Sequence, residues 1–162
     1  MIIVYTGNGK GKTTAAIGTA IRAIGHGKRV VMIQFMKGQP TGELNVKIPG
    51  FKIYQFGSEN FVIEPTEEDK NRAKEALKFA EEVLEKENPF LLILDEVNVA
   101  VKMGLIESSE VIKLVKKVKN NIILTGRYAP REFIEIADLV TEMKEIKHPF
   151  KKGLPAQEGI DF

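Results

Sequence analysis

Apolar residues fall along this chain in two alternating rhythms. Short runs at residues 2–5, 30–35, 52–56, 90–94 and 122–125 are rich in aliphatic and β-branched side chains on consecutive positions, as in strands buried on both faces. Between them the apolar positions recur at helical spacing. Residues 13–24, rich in Ala and Ile, predict a helix stopped by Gly25-His26-Gly27. Pro65-Thr66 followed by Asp69 predicts a capped start, after which Ala73, Ala76, Leu77, Ala80, Val83 and Leu84 form one stripe. Ser108 or Ser109 is expected to cap a third helix with Val111, Ile112, Val115 and Val118 inward, and Pro130 to be the first residue of a fourth.

This alternation predicts an α/β fold: a mostly parallel sheet with helices on both faces and ligands at the carboxyl ends of the strands. The irregular stretches 36–49 and 57–65 leave the carboxyl ends of the second and third strands. They are therefore candidates for the walls of a site.

Composition narrows the setting. The chain has 162 residues, 43% of them hydrophobic, which suits one domain over residues 1–162 that buries roughly 70% of its unfolded surface. The sequence has no cysteine, which excludes a disulfide framework, a thiolate zinc site and a cysteine nucleophile. A formal net charge of +2 does not argue for a nucleic-acid partner. Lys113, Lys116, Lys117 and Lys119 read as the solvated side of a helix. There is no apolar run long enough for a membrane span, and Met1 leads into Ile2-Ile3-Val4 without a charged leader. The expectation is a cytoplasmic protein without a membrane partner.

The candidate chemistry begins at residues 4–16, VYTGNGKGKTTAA, a strand, a glycine-rich turn and a small-residue helix in the order of a phosphate-binding loop. The usual spacing G-x-x-x-x-G-K-[ST] needs a glycine five positions before Gly11, where this chain has Thr6. The first glycine is Gly7, so the loop is one residue shorter. Gly7, Gly9 and Gly11, with Asn8 and Lys10 between them, let amide N–H groups converge on phosphate oxygens at the positive end of the following helix. Lys12 adds a full charge, and Thr13, followed by Thr14, offers a hydroxyl to Mg²⁺. A second motif, Phe90-Leu91-Leu92-Ile93-Leu94-Asp95-Glu96, is a buried strand ending in two carboxylates that can meet the same metal. Either Asp95 or Glu96 can be the direct ligand. Together the motifs specify a Mg-ATP site. Lys10, Arg127 and Arg131 can supply further cations for phosphoryl transfer, but no feature identifies a water-positioning group. A small ATPase or kinase of this fold and a nucleotide-gated binding module are both compatible with these motifs.

The shortened loop 7–16 resembles the hallmark of the ATP:corrinoid adenosyltransferases of cobalamin synthesis and salvage. So do Gln34-Phe35-Met36-Lys37-Gly38, Leu94-Asp95-Glu96, Thr125-Gly126-Arg127, Lys147-His148-Pro149-Phe150, Gly153, Ala156-Gln157 and Gly159-Ile160-Asp161. The resemblance runs over nearly the whole chain. It implies a RecA-like P-loop fold and transfer of the 5′-deoxyadenosyl group of ATP to the Co(I) of a reduced corrinoid, with triphosphate as leaving group. It further implies that Lys10 and Lys12 neutralise phosphate charge, that Thr13 and Glu96 hold Mg²⁺ and that Asp95 supports the metal from nearby. Arg127 is implied in nucleotide or dimer contacts, and Phe61 matches the first aromatic of a Phe-x-Trp pair that faces the corrinoid in many members. Here the triplet is Phe61-Val62-Ile63 and the chain has no Trp. His148 is expected to order a turn. The partners implied are ATP, the corrinoid, an electron-donor protein for Co(II) reduction and a second copy in a homodimer.

Overall fold

A computed structural model of the chain describes residues 1–58, 64–149 and 153–162. Its elements alternate as β1 Ile2–Thr6, α1 Lys12–Gly25, β2 Val30–Phe35, α2 Gly42–Asn45, β3 Phe51–Phe56, α3 Glu67–Lys86, β4 Leu91–Asp95, α4 Val97–Lys102, α5 Ser108–Lys117, β5 Asn121–Thr125, α6 Arg131–Ile136 and β6 Leu139–Glu142. The strands form one sheet in the order β3-β2-β4-β5-β1-β6. Every pairing is parallel, from Ile2 opposite Ile122 through Val30 opposite Leu91 to Ile3 opposite Leu139. All carboxyl ends therefore meet along one edge. The phosphate-loop strand β1 and the acid-bearing strand β4 are separated by β5, in a parallel sheet covered by helices on both faces as the sequence predicts.

Helices cover both faces unequally. On one side α1 lies against Met32, Leu91, Ile93 and Ile123 through Ala16, Ala20 and Ala23, whose single methyl groups let the helix approach closely. On the other side α3, α4, α5 and α6 bury Ala73, Ala76, Ala80, Val97, Val111, Leu114 and Phe133 over Val31, Ile33, Leu92, Leu94, Ile122 and Leu124. Both β2 and β4 are buried along their whole length, which explains why their sequences are apolar apart from Gln34 and Asp95 near the carboxyl ends. Thr66 caps α3 as predicted: its hydroxyl accepts from the Asp69 amide while its own amide donates to the Asp69 carboxylate. Such a cap contributes about 1 kcal/mol.

Four details differ from the expectations. Glu107, not Ser108 or Ser109, caps α5, because its carboxylate pairs with the start of the helix while its own amide donates to Glu110. Pro130 is the cap before α6 rather than its first residue; its extended ψ of 145° lets its carbonyl accept from Phe133 and Ile134. The acid-bearing strand starts at Leu91 and includes Asp95, while Phe90 stands 40% exposed beneath the Lys28 ammonium. β6 escaped the reading because all four of its residues are exposed and it lacks the continuous apolar run of its neighbours. The lysines of α5 face solvent, as expected.

Candidate functional site

The phosphate loop joins β1 to α1 at the common carboxyl edge of the sheet. Gly7 and Gly11 have φ of 99° and 119°, and Gly11 needs glycine for that reason alone. Gly7 and Gly9 meet a second constraint. The chain leaving β6 runs against them, with the Met143 amide donating to Thr6 O at 2.8 Å and the Gly9 amide donating to Met143 O at 2.7 Å. A Cβ on Gly7 would lie 2.4 Å from Met143 O, and one on Gly9 2.7 Å from it. Two of the loop glycines are thus set by the sixth strand. Lys12 is buried, and its Nζ donates to Gly7 O at 2.8 Å and Gly9 O at 2.7 Å, closing the loop upon itself. Burial lowers its pKa; Arg127 adds to this, while Glu96 and Asp95 oppose it.

Below the loop, Asp95 organises the floor. Its carboxylate is fully buried. Oδ1 accepts from Thr125 Oγ1 at 2.6 Å and Thr13 Oγ1 at 2.9 Å; Oδ2 accepts from Lys37 Nζ at 2.8 Å and Gln34 Nε2 at 3.3 Å. Four donors from three elements or their ends, α1, β2 and β5, converge on one group. Thr125 Oγ1 also accepts from the Glu96 amide at 3.0 Å, fixing the backbone where it turns into α4. Glu96 takes φ 61° there and lines the cavity beside the loop. Burial raises its pKa and the Asp95 charge raises it further, while Lys37, Lys12 and Arg127 pull it back.

The cavity measures about 620 Å³ and runs from Lys12, Thr13 and Thr14 past Lys37 and Glu96 to the last residues of the chain. Its rim is built by the segment after β6. Lys10 Nζ pairs with Asp161 at 2.9 Å, and the Asp161 carboxylate also accepts the Gln157 amide at 2.8 Å. These two contacts, the Gln157 amide first, hold the Asp161 pKa below its ordinary value. Arg127 and His148 line the same cavity. Arg127 follows Gly126, whose carbonyl accepts from the buried Asn98 side chain at 2.9 Å. On the opposite wall, the loops after β2 and β3 touch through glycines. A Cβ on Gly38 would lie 2.6 Å from Gly57 O, and one on Gly57 2.3 Å from the Lys37 amide.

The structure thus gathers Asn8, Gly9, Lys10, Gly11, Lys12, Thr13, Thr14, Glu96 and Arg127 around one cavity, with Asp95 behind Thr13 and the Gly7 carbonyl bonded to Lys12. Phe61 and Phe150 lie outside the described residues. Lys37, Gln34 and Thr125 are partners of Asp95 that the sequence did not reveal. Their only signal was membership in short motifs, since nothing in a lone Lys or Thr at a strand end tells which buried acid it will meet. Asp161 was likewise invisible as the partner of Lys10, 151 positions away. Among the described residues, no helix is long and apolar enough to cross a membrane, and no group of three or more His, Asp or Glu side chains is placed to hold a metal by itself.

Comparison with known proteins bears directly on this edge of the sheet. Residues 1–162 match the family described as ATP:corrinoid adenosyltransferase BtuR/CobO/CobP. The chain belongs to that family. A corrinoid adenosyltransferase from Sinorhizobium sp. is 40% identical over 172 residues, which cover 100% of this chain and 80% of the relative. One from Escherichia coli K12 is 39% identical over 167 residues, covering 100% of this chain and 85% of the relative. Among solved structures, the crystal structure of a KaiC-like protein from Pyrococcus horikoshii OT3 superposes with a TM-score of 0.55 at 20% identity, covering 90% of this chain and 74% of that one. That likeness concerns the fold alone.

Proposed function

We propose that this chain transfers the 5′-deoxyadenosyl group of ATP to the Co(I) of a reduced corrinoid and releases intact triphosphate. The observation that carries the reading is the shortened loop, Gly7 to Lys12, folded at the sheet edge in a chain that matches the adenosyltransferase family throughout. In the reaction the cobalt electron pair forms the bond to C5′, the C5′–O bond breaks, and its electron pair leaves on the triphosphate. Co(I) is itself the nucleophile, so the protein needs no general base. Its contribution is alignment and stabilisation of charge on the departing triphosphate.

Lys12, Lys10 and Arg127 are assigned to that charge, and the loop amides to the phosphate oxygens. Thr13 and Glu96 are assigned as ligands of Mg²⁺, with Asp95 holding Thr13 from behind. A hydroxyl and carboxylates are hard oxygen donors suited to this ion, which takes its remaining ligands from phosphates and water. The ion would supply positive charge to the triphosphate. Asp95 already accepts four donors, which favours Glu96 as the direct ligand. Phe61 is assigned to the corrinoid side. A homodimer, an electron-donor protein for Co(II) and a cytoplasmic setting belong to the same reading.

Anaerobic incubation with ATP, Mg²⁺ and chemically reduced cobalamin is expected to give the adenosylated product by absorbance and triphosphate by ion chromatography. Steady release of ADP without corrinoid would assign the chain to ordinary phosphoryl transfer instead.

A further inference from the structure

The Lys37 ammonium reaches two of the side chains assigned to the metal and its surroundings, Asp95 and Thr13. Its Nζ lies 2.8 Å from Asp95 Oδ2 and 3.4 Å from Thr13 Oγ1. Its backbone is clamped. Met36 before it takes φ 61°, and the Gly38–Gly57 contact on either side of its amide leaves no room for a Cβ. The lysine therefore enters the floor from a fixed point, and only its four-carbon stem is free to reorient. It also lines the cavity, with its side chain 27% exposed, so the ammonium has a path outward.

We propose that Lys37 is a built-in cation of the metal position: it holds Thr13 and Asp95 against a free divalent ion and releases them only when a triphosphate draws its ammonium into the cavity. Metal and triphosphate then enter together. The inference rests on the assignment of Thr13 and Glu96 to the metal. The charges present support it. Asp95, Glu96 and Glu43 all act on Lys37, so without its charge the floor would be acidic enough to attract a hard cation. With it, a divalent ion meets a like charge at close range. Burial opposes the ammonium, but the Asp95 charge and hydrogen bond together with the Glu96 and Glu43 charges offset it, and the Lys37 pKa stands raised. Departure of Lys37 does not strand Asp95, because Thr125, Thr13 and Gln34 still donate to it. An incoming triphosphate offers the ammonium anionic oxygens in exchange.

The test is direct titration with Mn²⁺ followed by the electron paramagnetic resonance of the free ion, with and without ATP. Wild-type protein is expected to take up Mn²⁺ with ATP and to bind it weakly alone. Lys37→Gln is expected to bind Mn²⁺ alone roughly tenfold or more tightly than wild type, the scale of removing one like charge from a close site. Lys37→Arg, which keeps the charge, should stay within about threefold of wild type on the same argument. Equal affinity of Lys37→Gln and wild type for Mn²⁺ alone would overturn the proposal.

Should Lys37→Gln not fold, the wild-type protein decides by melting temperature, since a ligand that binds the native state raises it. No change with Mg²⁺ alone and a rise with Mg²⁺ and ATP are expected; a rise with Mg²⁺ alone would overturn the idea. Neither measurement contains corrinoid. A protein that releases ADP instead of triphosphate would sink the adenosyl-transfer reading while leaving the Lys37 result standing, and the reverse holds equally.

Discussion

Two lysines of the phosphate loop, two positions apart, live in different chemical worlds. Lys12 belongs to the floor of the cavity, where burial lowers its pKa and its ammonium bonds to carbonyls of its own loop. Lys10 belongs to the rim, with a side chain 44% exposed and a partner, Asp161, brought from the other end of the chain. Around Lys12 the polar groups are held by β1, β2, β4 and β5, whose ends are registered by the parallel ladder. Around Lys10 they sit on a segment of turns without strand or helix pairing. The floor is therefore a place of high electrostatic stakes and fixed geometry, whereas the rim is screened by solvent and can exchange one anion for another.

Substitutions in the floor should hurt most. Asp95→Ala removes the acceptor of four donors and leaves Lys37 without its counter-charge. Loss of one member of a buried pair costs roughly 3 to 5 kcal/mol. The lower end is expected here, because Lys37 keeps 27% exposure. A urea unfolding series that gave wild-type stability for Asp95→Ala would show that the floor is not held by this carboxylate.

Lys12→Ala should cut adenosyl transfer by more than about a hundredfold, near the roughly 3 kcal/mol lost with a transition-state donor. The melting temperature should hold or rise, because the burial that lowers the Lys12 pKa already opposes its charge. Single-turnover rates and thermal melts on the same sample separate the two effects. A collapse in stability equal to the loss of rate would make Lys12 a structural strut.

At the rim the effect should be small and opposite in sign. Asp161→Asn removes the anion that competes with triphosphate for Lys10, so ATP should bind roughly two- to fivefold more tightly, the scale of one exposed ion pair. Calorimetric titration checks this, and weaker binding would mean that Asp161 helps to build the nucleotide pocket.

The smallest effect is a pH dependence confined to the rim. The Gln157 amide and Lys10 hold the Asp161 pKa below its ordinary value of 3.8, so the folded segment favours the carboxylate. Its stabilising contribution is complete above that ordinary value and fades as pH falls through the lower, native one. The Gln157 amide resonance should stay constant down to about the ordinary carboxyl range and move below it, and Asp161→Asn should abolish the movement. A titration centred above 3.8 would contradict the contact.

How much of this was legible in the sequence follows the same division. The buried strands β2 and β4 were readable because strands covered on both faces need unbroken apolar runs. The phosphate loop was readable because consecutive backbone amides that bind phosphate need glycine at fixed local offsets. β6 was not, because an exposed edge strand carries no such run. Asp95 and Glu96 were visible as a pair but not as different groups. Only the fold shows that one closes four hydrogen bonds inside the protein while the other takes a left-handed turn into the cavity wall.

By itself, then, the sequence determined whatever depends on neighbours along the chain: the alternation of strand and helix, the cap at Thr66 and the short glycine loop with Lys12 and Thr13 behind it. These are set within a few residues by backbone sterics, periodicity and local hydrogen bonds. The tertiary structure decided what depends on neighbours in space. It placed Met143 against Gly7 and Gly9, Lys37 and Thr125 on Asp95, and Asp161 on Lys10. Each of those contacts joins segments far apart in the chain, and each forms only because the strand order β3-β2-β4-β5-β1-β6 brings their ends to one edge.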